Sequence, residues 1–232
     1  MSSNSVLTFR TRAFAPVLTG PRVSTTLQRA MASRSGYVES VRALAMQLRS
    51  RWFDGSPGRA ALAISSVDPG DGRSLLTAAL AVEFARSGRQ TLVIDADLRM
   101  PAQQHLFNLP ARRGLGHVLA GLDEHAECLP VPAVPRLSVL TAGTEPPEPQ
   151  ECFGGSRLVR LMDDLALSHD VILVDTPAAQ LAPEAPLIAQ AARGALLLAR
   201  SGRTRSSDLQ ELARLLRQVD VQLLGTTLND AS

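Results

Sequence analysis

Three groups of residues in this 232-residue chain have the types and spacing to do chemistry. The first is VDPGDGRS, Val67 to Ser74, where Gly70 and Gly72 precede Arg73 and Ser74. Glycines let successive backbone N–H groups turn into one concavity, and a helix that starts behind them adds the positive end of its dipole. That arrangement binds phosphate. The window fits G-x-x-x-x-G-K-[ST] at Gly72 and Ser74, with Val67 in the place of the first Gly and Arg73 in that of the Lys. The second group is Asp95 and Asp97 in TLVIDADLRMP, and the third is Asp175 in VILVDTP. Carboxylates so placed can orient a water, accept a proton or hold Mg²⁺ through water. In phosphate-loop proteins an aspartate like Asp175 joins the loop hydroxyl in holding the Mg²⁺ that bridges the β- and γ-phosphates.

These groups need elements to position them. Ala61 to Ile64 is an apolar run of strand length, and a helix is predicted from near Arg73 to near Ser87 and Gly88. Thr91 to Ile94 and the apolar residues before Asp175 are continuous runs of the kind buried in parallel sheets. Their acids then lie at the carboxyl ends of strands, beside the crevice where open α/β sheets bind ligands. GALLLAR and VQLLGTTLND supply two further strands with a helix from Ser207 to Val219 between them, and Leu137 to Leu140 a short one. Ser156 to Ser168, Ala102 to Leu109 and Gly114 to Leu122 read as helices, and Pro130 to Pro149, with its EPPEP, as surface loop. The alternation predicts an α/β fold, a mostly parallel sheet with helices on both faces.

Ahead of the first strand, Tyr37 to Phe53 carries Val38, Val41, Leu44, Ala45, Leu48 and Trp52 at helical spacing, with Glu39 and Arg42 as an exposed pair on one face. Residues 1–35 hold Arg10, Arg12, Arg22, Arg29 and Arg34, no acid and many Ser and Thr. That stretch reads as a basic tail without structure, similar in composition to a transit peptide and suited to an anionic membrane face. The folded unit is then expected over 36–232, with the helix at 36–53 and the core at 60–230.

Composition removes several functions. A formal net charge of +2 gives no case for nucleic-acid binding. Cys128 and Cys152 form no C-x-x-C pair, which favours a reduced cytoplasmic setting, and His105, His117 and His125 share no ligand spacing. No apolar run approaches the roughly 20 residues that cross a bilayer. All 24 basic side chains are arginine. Arg73 in a lysine position therefore follows a chain-wide exclusion of lysine and does not by itself mark a lost function.

Taken in order, ESVRALAMQLR, SSVDPGDGRS, VIDADLRMP, GLGHVLAG, VILVDTP, and SGRTR with LLGTTLN resemble the cytoplasmic bacterial tyrosine kinases of capsule and exopolysaccharide export, the chain-length-determinant kinases. These belong to the deviant phosphate-loop superfamily, with the partition and cell-division-site ATPases. The resemblance implies ATP and Mg²⁺ as cofactors and a P-loop NTPase fold. It places Gly70, Asp71, Gly72, Arg73, Ser74 and Leu75 around the nucleotide, Arg203 and Thr204 near it, and Asn229 on the adenine edge. Ser74, Asp97 and Asp175 would serve the metal. Arg73, Asp95 and Asp97 would be catalytic, with an acid of the Asp95/Asp97 motif as base for the attacking hydroxyl.

The resemblance also implies partners. Glu39 and Arg42 match two positions of a Glu-x-x-Arg-x-x-Arg helix that joins subunits head to tail in a ring, and the cytoplasmic tail of a membrane co-polymerase would hold the protein at the inner membrane. Ala45 departs from the third position of that helix, with Arg49 one turn later, and Tyr37 is the one tyrosine, so no tyrosine-rich tail is present to phosphorylate. The expected function is an ATP-dependent protein tyrosine kinase acting on another protein or on Tyr37. The alternatives are an ATP-binding regulatory module without phosphotransfer and a partition-type ATPase.

Overall fold

The structure, a computed structural model, describes residues 23–32, 36–55, 60–144 and 152–230. Its elements in chain order are α1 (Thr25–Ala30), α2 (Gly36–Leu48) ending in a π-helical turn (Arg49–Phe53), β1 (Ala61–Ser66), α3 (Arg73–Arg86), β2 (Thr91–Asp95), α4 (Gln103–Leu106), α5 (Leu115–Ala120), β3 (Leu129–Pro130), β4 (Leu137–Leu140), α6 (Arg157–Leu165), β5 (Val171–Asp175), α7 (Ala185–Ala192), β6 (Gly194–Arg200), α8 (Ser206–Gln218) and β7 (Gln222–Asn229).

The strands form a seven-stranded sheet in the order β3-β4-β2-β5-β1-β6-β7. The β3–β4 pair is antiparallel and the others are parallel. Parallel strands covered on both faces must be apolar throughout, and β1, β2, β5 and β6 are almost wholly buried. Side-chain alternation splits the core. Leu62 and Ile64 of β1 join Val93, Leu173 and Leu196 under α1, α2 and α3, while Ala63 joins Ile94, Ile172 and Leu197 under α5, α6, α7 and α8. Because β1 lies between β5 and β6, its carboxyl end opens beside the ends of both, and Asp95 pairs in register with Asp175. The sheet thus gathers the loop and the acids at one edge.

Helix α2 is seated by its apolar stripe, Val38, Val41, Ala45 and Leu48, and by Trp52 in the π-helical turn. The Trp52 indole N–H donates to the Ala61 carbonyl at 2.9 Å, and its ring fills the space where a Cβ on Gly194 would fall, at 2.5 Å. This contact fastens the N-terminal helix to the strand that carries the phosphate loop.

Three features depart from the sequence reading. Within the expected tail, residues 23–32 are ordered: Ser24 caps α1, donates its backbone N–H to the Leu106 carbonyl, and sends Leu27 into the core at 1% exposure. The six-residue α1 is too short for its periodicity to show. Helix α7 was not among the expected elements; Pro186 lies in its first turn, where proline is tolerated. In the expected surface loop, Pro130 forms β3 with Leu129, and Val131 and Val134 are buried. The rest of the tail, the turn at 56–59 and the EPPEP segment lie outside the described residues. No helix among the described residues is long and apolar enough to cross a membrane.

If α1 is part of the folded unit, Leu27→Ala destabilises the protein by about 2–4 kcal/mol in urea unfolding. A change within about 0.5 kcal/mol, the value for an exposed site, would return the segment to the status of a tail.

Candidate functional site

The loop between β1 and α3 is shaped by side chains that hold its carbonyls. Asp68 O accepts from Arg73 Nη1 at 3.3 Å and from the Ser66 hydroxyl at 3.2 Å, Gly70 O from Arg200 Nη1 at 3.0 Å, and Asp71 O from Asn229 Nδ2 at 2.7 Å. In a trans peptide the N–H points opposite to its carbonyl, so the N–H groups of Asp71 and Gly72 face away from these anchors. Gly70 and Gly72 have φ of 80° and 99°, and a Cβ on Gly72 would fall 2.5 Å from Asn229 Nδ2. Glycine is required there on both counts. No side chain caps α3, so its first-turn N–H groups are offered to a ligand. Asp71 itself is fully buried and braces the loop, its Oδ2 accepting from Asp68 N–H at 3.1 Å.

Arg73 lies beneath this loop with 7% exposure. Its Nε donates to the Thr176 carbonyl at 2.7 Å, its Nη1 to the Ser66 hydroxyl at 2.6 Å, and its Nη2 stands 3.7 Å from Asp97 Oδ2. A planar fork with five donors can serve all of these at once, and a lysine ammonium cannot.

The three acids occupy different surroundings. Asp97 Oδ1 accepts from the backbone N–H groups of Arg99 and Met100 at 3.2 and 2.9 Å. Asp95, with no exposure, spends Oδ2 on the N–H groups of Ala102 and Gln103 at 3.0 and 2.9 Å, so it anchors the start of α4. Burial, and then the neighbouring Asp175 charge, push its carboxyl well above the usual range. Burial likewise pushes Asp175 up to about 6, against the Arg73 charge and hydrogen bonds from Gln103 and Ser74. Gln103 Nε2 bridges the Ser74 carbonyl at 3.0 Å and Asp175 Oδ2 at 2.7 Å.

Asp175 Oδ1 is buried and has no hydrogen-bond partner among the described residues. A buried carboxylate that its neighbours leave half-satisfied, with the Ser74 hydroxyl beside it, fits a hydrated cation. No group of three or more His, Cys, Asp or Glu among the described residues forms a metal cage. That suits Mg²⁺, which takes one or two carboxylates and completes its shell from phosphates and water.

Two cavities flank the loop. The smaller, about 160 Å³, is lined by Gly70, Arg73, Ser74 and Asp97 on its polar side and by Met100, Pro177 and Leu181 on its apolar side. The larger, about 410 Å³, is lined by Gly72, Leu75, Asn229, Thr227, Tyr37 and Ala30 among others. Of the residues singled out from sequence, Gly70, Arg73, Ser74 and Asp97 meet at the first, and Gly72, Leu75 and Asn229 at the second. Arg203 lies against Gly70, with its Nη1 3.4 Å from where a Cβ there would stand. Thr204 caps its own turn by accepting the Arg200 N–H at 2.8 Å, and Asp71, Asp95, Asp175, Arg203 and Thr204 line neither cavity.

Sequence reasoning missed Gln103, Glu184 and Arg200, and gave no role to Arg99, which pairs with the buried Glu184 at 2.9 Å. Arg99 lies in VIDADLRMP and Arg200 directly precedes SGRTR, but nothing in sequence marks Gln103. At α2, Arg42 pairs with Glu83 at 3.2 Å and not with Glu39. Ala45 faces the core, and Arg49 is engaged with Asp54 at 3.4 Å.

Comparison with known proteins follows the same lines. Putative tyrosine-protein kinase CapB of Staphylococcus aureus is 31% identical over 168 residues, 72% of this chain and 74% of that protein. Tyrosine-protein kinase YwqD of Bacillus subtilis is 32% identical over 166 residues, 72% and 70% of the two chains. Among solved structures, the kinase domain of the Escherichia coli tyrosine kinase ETK superposes with a TM-score of 0.81 at 26% identity, over 94% of this chain and 84% of that one. No model of a known protein family matches the chain.

The Arg73 contacts predict that Arg73→Lys, although it restores the common phosphate-loop residue, lowers the stability of the ligand-free protein by roughly 1–3 kcal/mol, since buried acceptors lose their donor. Unchanged denaturant midpoints would refute this. Asp175 gives a pH test. Its folded pKa of about 6 lies above the ordinary 3.8, so the folded state holds the proton more tightly. Its contribution is greatest below pH 4 and is lost as pH rises to about 6. Without nucleotide or metal, Asp175→Asn is therefore expected to gain stability over the parent across that interval, by on the order of 1–3 kcal/mol. A difference that does not vary with pH would count against it.

Proposed function

The chain belongs to the bacterial tyrosine-protein kinases of capsule and exopolysaccharide pathways, and we propose that it transfers the γ-phosphoryl group of Mg-ATP to a protein tyrosine. The observation that carries this reading is that one small cavity brings together the phosphate loop (Gly70, Ser74), a buried cation (Arg73) and a carboxylate (Asp97). A phosphate, the charge that neutralises it and a proton acceptor are what phosphoryl transfer asks of a protein.

Each residue then has a role. The N–H groups of the loop and of the first turn of α3 receive the phosphates. Ser74 and Asp175 would hold Mg²⁺, which when bound neutralises charge on the phosphate oxygens, and Gln103 keeps the two in register. Arg73 commits Nε and Nη1 to Thr176, Ser66 and Asp68, which leaves its Nη2 edge, beside Asp97, toward the transferring group. Asp97, oriented by two backbone N–H groups, accepts the proton of the attacking hydroxyl. Asp95 is a positioning residue in this reading. Asn229 spends its Nδ2 on the loop and keeps its oxygen for an amino donor of the base in the larger cavity, where Leu75 and Tyr37 form the walls.

We place the protein at the membrane through the cytoplasmic tail of a co-polymerase, with the exposed Glu39 side of α2 as the face toward a second copy. The inward Ala45 and the engaged Arg49 leave that face with fewer cations than the family's ring helix has.

Purified protein with Mg-ATP and a Glu/Tyr copolymer is expected to form phosphotyrosine. Asp97→Asn should lower the rate by about 10²-fold or more while ATP affinity stays within about threefold, and Arg73→Ala should abolish ATP binding. ATP binding without phosphate on the copolymer or on a co-polymerase tail would sink the kinase reading and leave a nucleotide-binding regulator. Light scattering that shows a monomer at every ATP concentration would remove the ring and leave the transfer reading intact.

A further inference from the structure

We infer that the cleft over Asp97 receives the ring of an acceptor tyrosine between Met100 and Leu181, and that these two side chains select the acceptor. The inference rests on the transfer reading above and says where, and by what contacts, its second substrate binds.

The cleft is lined by the polar Arg73, Ser74, Asp97 and Arg99, the last neutralised by Glu184, and by the apolar Pro69, Met100, Pro177, Ala178 and Leu181. Met100 is 65% exposed and Leu181 54%. Single exposed apolar residues are ordinary, but two large ones that line one cleft, together with Pro69, Pro177 and Ala178, give it an apolar part beside its charged groups. Tyrosine has the complementary form, a flat apolar ring with a hydroxyl at its tip. A serine or threonine brings a hydroxyl with no ring to fill that apolar part.

Both walls are held in place. On one side, Asp97 Oδ1 fixes the backbone of Met100, so the residue that would take the proton also sets the position of a rim residue. On the other, Ala179 and Gln180 donate their N–H groups to the Ser66 and Val67 carbonyls at 3.0 and 3.1 Å, and Leu181 N–H closes a turn on Ala178 O at 3.0 Å. The two walls are tied by Arg99 and the buried Glu184 at 2.9 Å. The backbones that carry Met100 and Leu181 are thus held before any ligand arrives, which lowers the cost of ordering one.

The occupant is a tyrosine other than Tyr37. Tyr37 lines the larger cavity, which shares no lining residue with the cleft over Asp97.

The test is Met100→Gln with Leu181→Gln, polar exchanges at exposed positions, assayed with Mg-ATP and a Glu/Tyr copolymer. KM for the copolymer is expected to rise about tenfold or more, with ATP affinity within about twofold as the control for folding. The apolar exchange Met100→Leu with Leu181→Met should keep KM near the parent value, and intact-mass mapping should place no phosphate on Tyr37. An unchanged KM in the polar variant, or phosphate on Tyr37 in the parent, would overturn the inference while the transfer reading stands. ATP binding by the parent with no copolymer phosphorylation would overturn both.

Discussion

A single buried guanidinium links the parts of this site. Arg73 begins α3, but its side chain reaches back to β1 through Ser66, to the loop through Asp68 O, across to the end of β5 through Thr176 O, and to Asp97 beyond β2. These segments are distant in sequence, and the sheet order brings their carboxyl ends together. The positive charge is also what makes the acids tolerable. Asp95, Asp97 and Asp175 would repel one another in a space with little water, and Arg73 is the opposing charge that pulls Asp175 back toward ionisation. Take the fork away and the buried acceptors and acids lose their partner together.

The balance is incomplete in a way that suits a ligand site and not a structural one. Asp95 and Asp175 remain raised despite Arg73, and each leaves an oxygen without a hydrogen-bond partner among the described residues. Buried polar atoms in finished cores are satisfied, so a cluster of exceptions at one sheet edge is the mark of a functional site. The loop shows the same economy from the opposite sign. Its carbonyls are drawn to Arg200, Asn229, Arg73 and Ser66, and its N–H groups are left for an anion. On the proposed reading, these acceptors would face the metal and these donors the phosphates.

How far the sequence showed this depends on the range over which each residue acts. The strands and their acids were legible because a buried parallel strand must be an unbroken apolar run, and Asp95 and Asp175 end such runs abruptly. The loop was legible because left-handed backbone at Gly70 and Gly72 calls for glycine. Helix α1 and the two-residue β3 were too short to carry a period, and α7 has only eight residues, with Pro186 second among them. Gln103 could not be found at all. It is an ordinary glutamine in a four-residue helix, and its importance comes from the β2–β5 pairing that sets Asp175 beside it. Asp95 is the converse case: its motif suggested catalysis, and the fold in addition gives it the N–H groups that begin α4.

The two cavities on either side of the loop divide its work between elements of different origin. The larger is walled by α1, α2 and β7, the outer parts of the fold, and the smaller by the central strand ends and the turns that follow them. Asn229 and Arg200 connect the divisions, each reaching from the β6 and β7 side to a loop carbonyl. A ligand that draws on Asn229 of β7 therefore touches a side chain that holds one of the peptide planes presenting N–H groups to the cleft. The N-terminal segment enters this circuit through Ala30 and Tyr37, and Trp52 secures it by hydrogen-bonding to the first residue of β1. An event at the N-terminal helices is thus mechanically close to the phosphate loop, although some forty residues of sequence lie between Ala30 and Gly72.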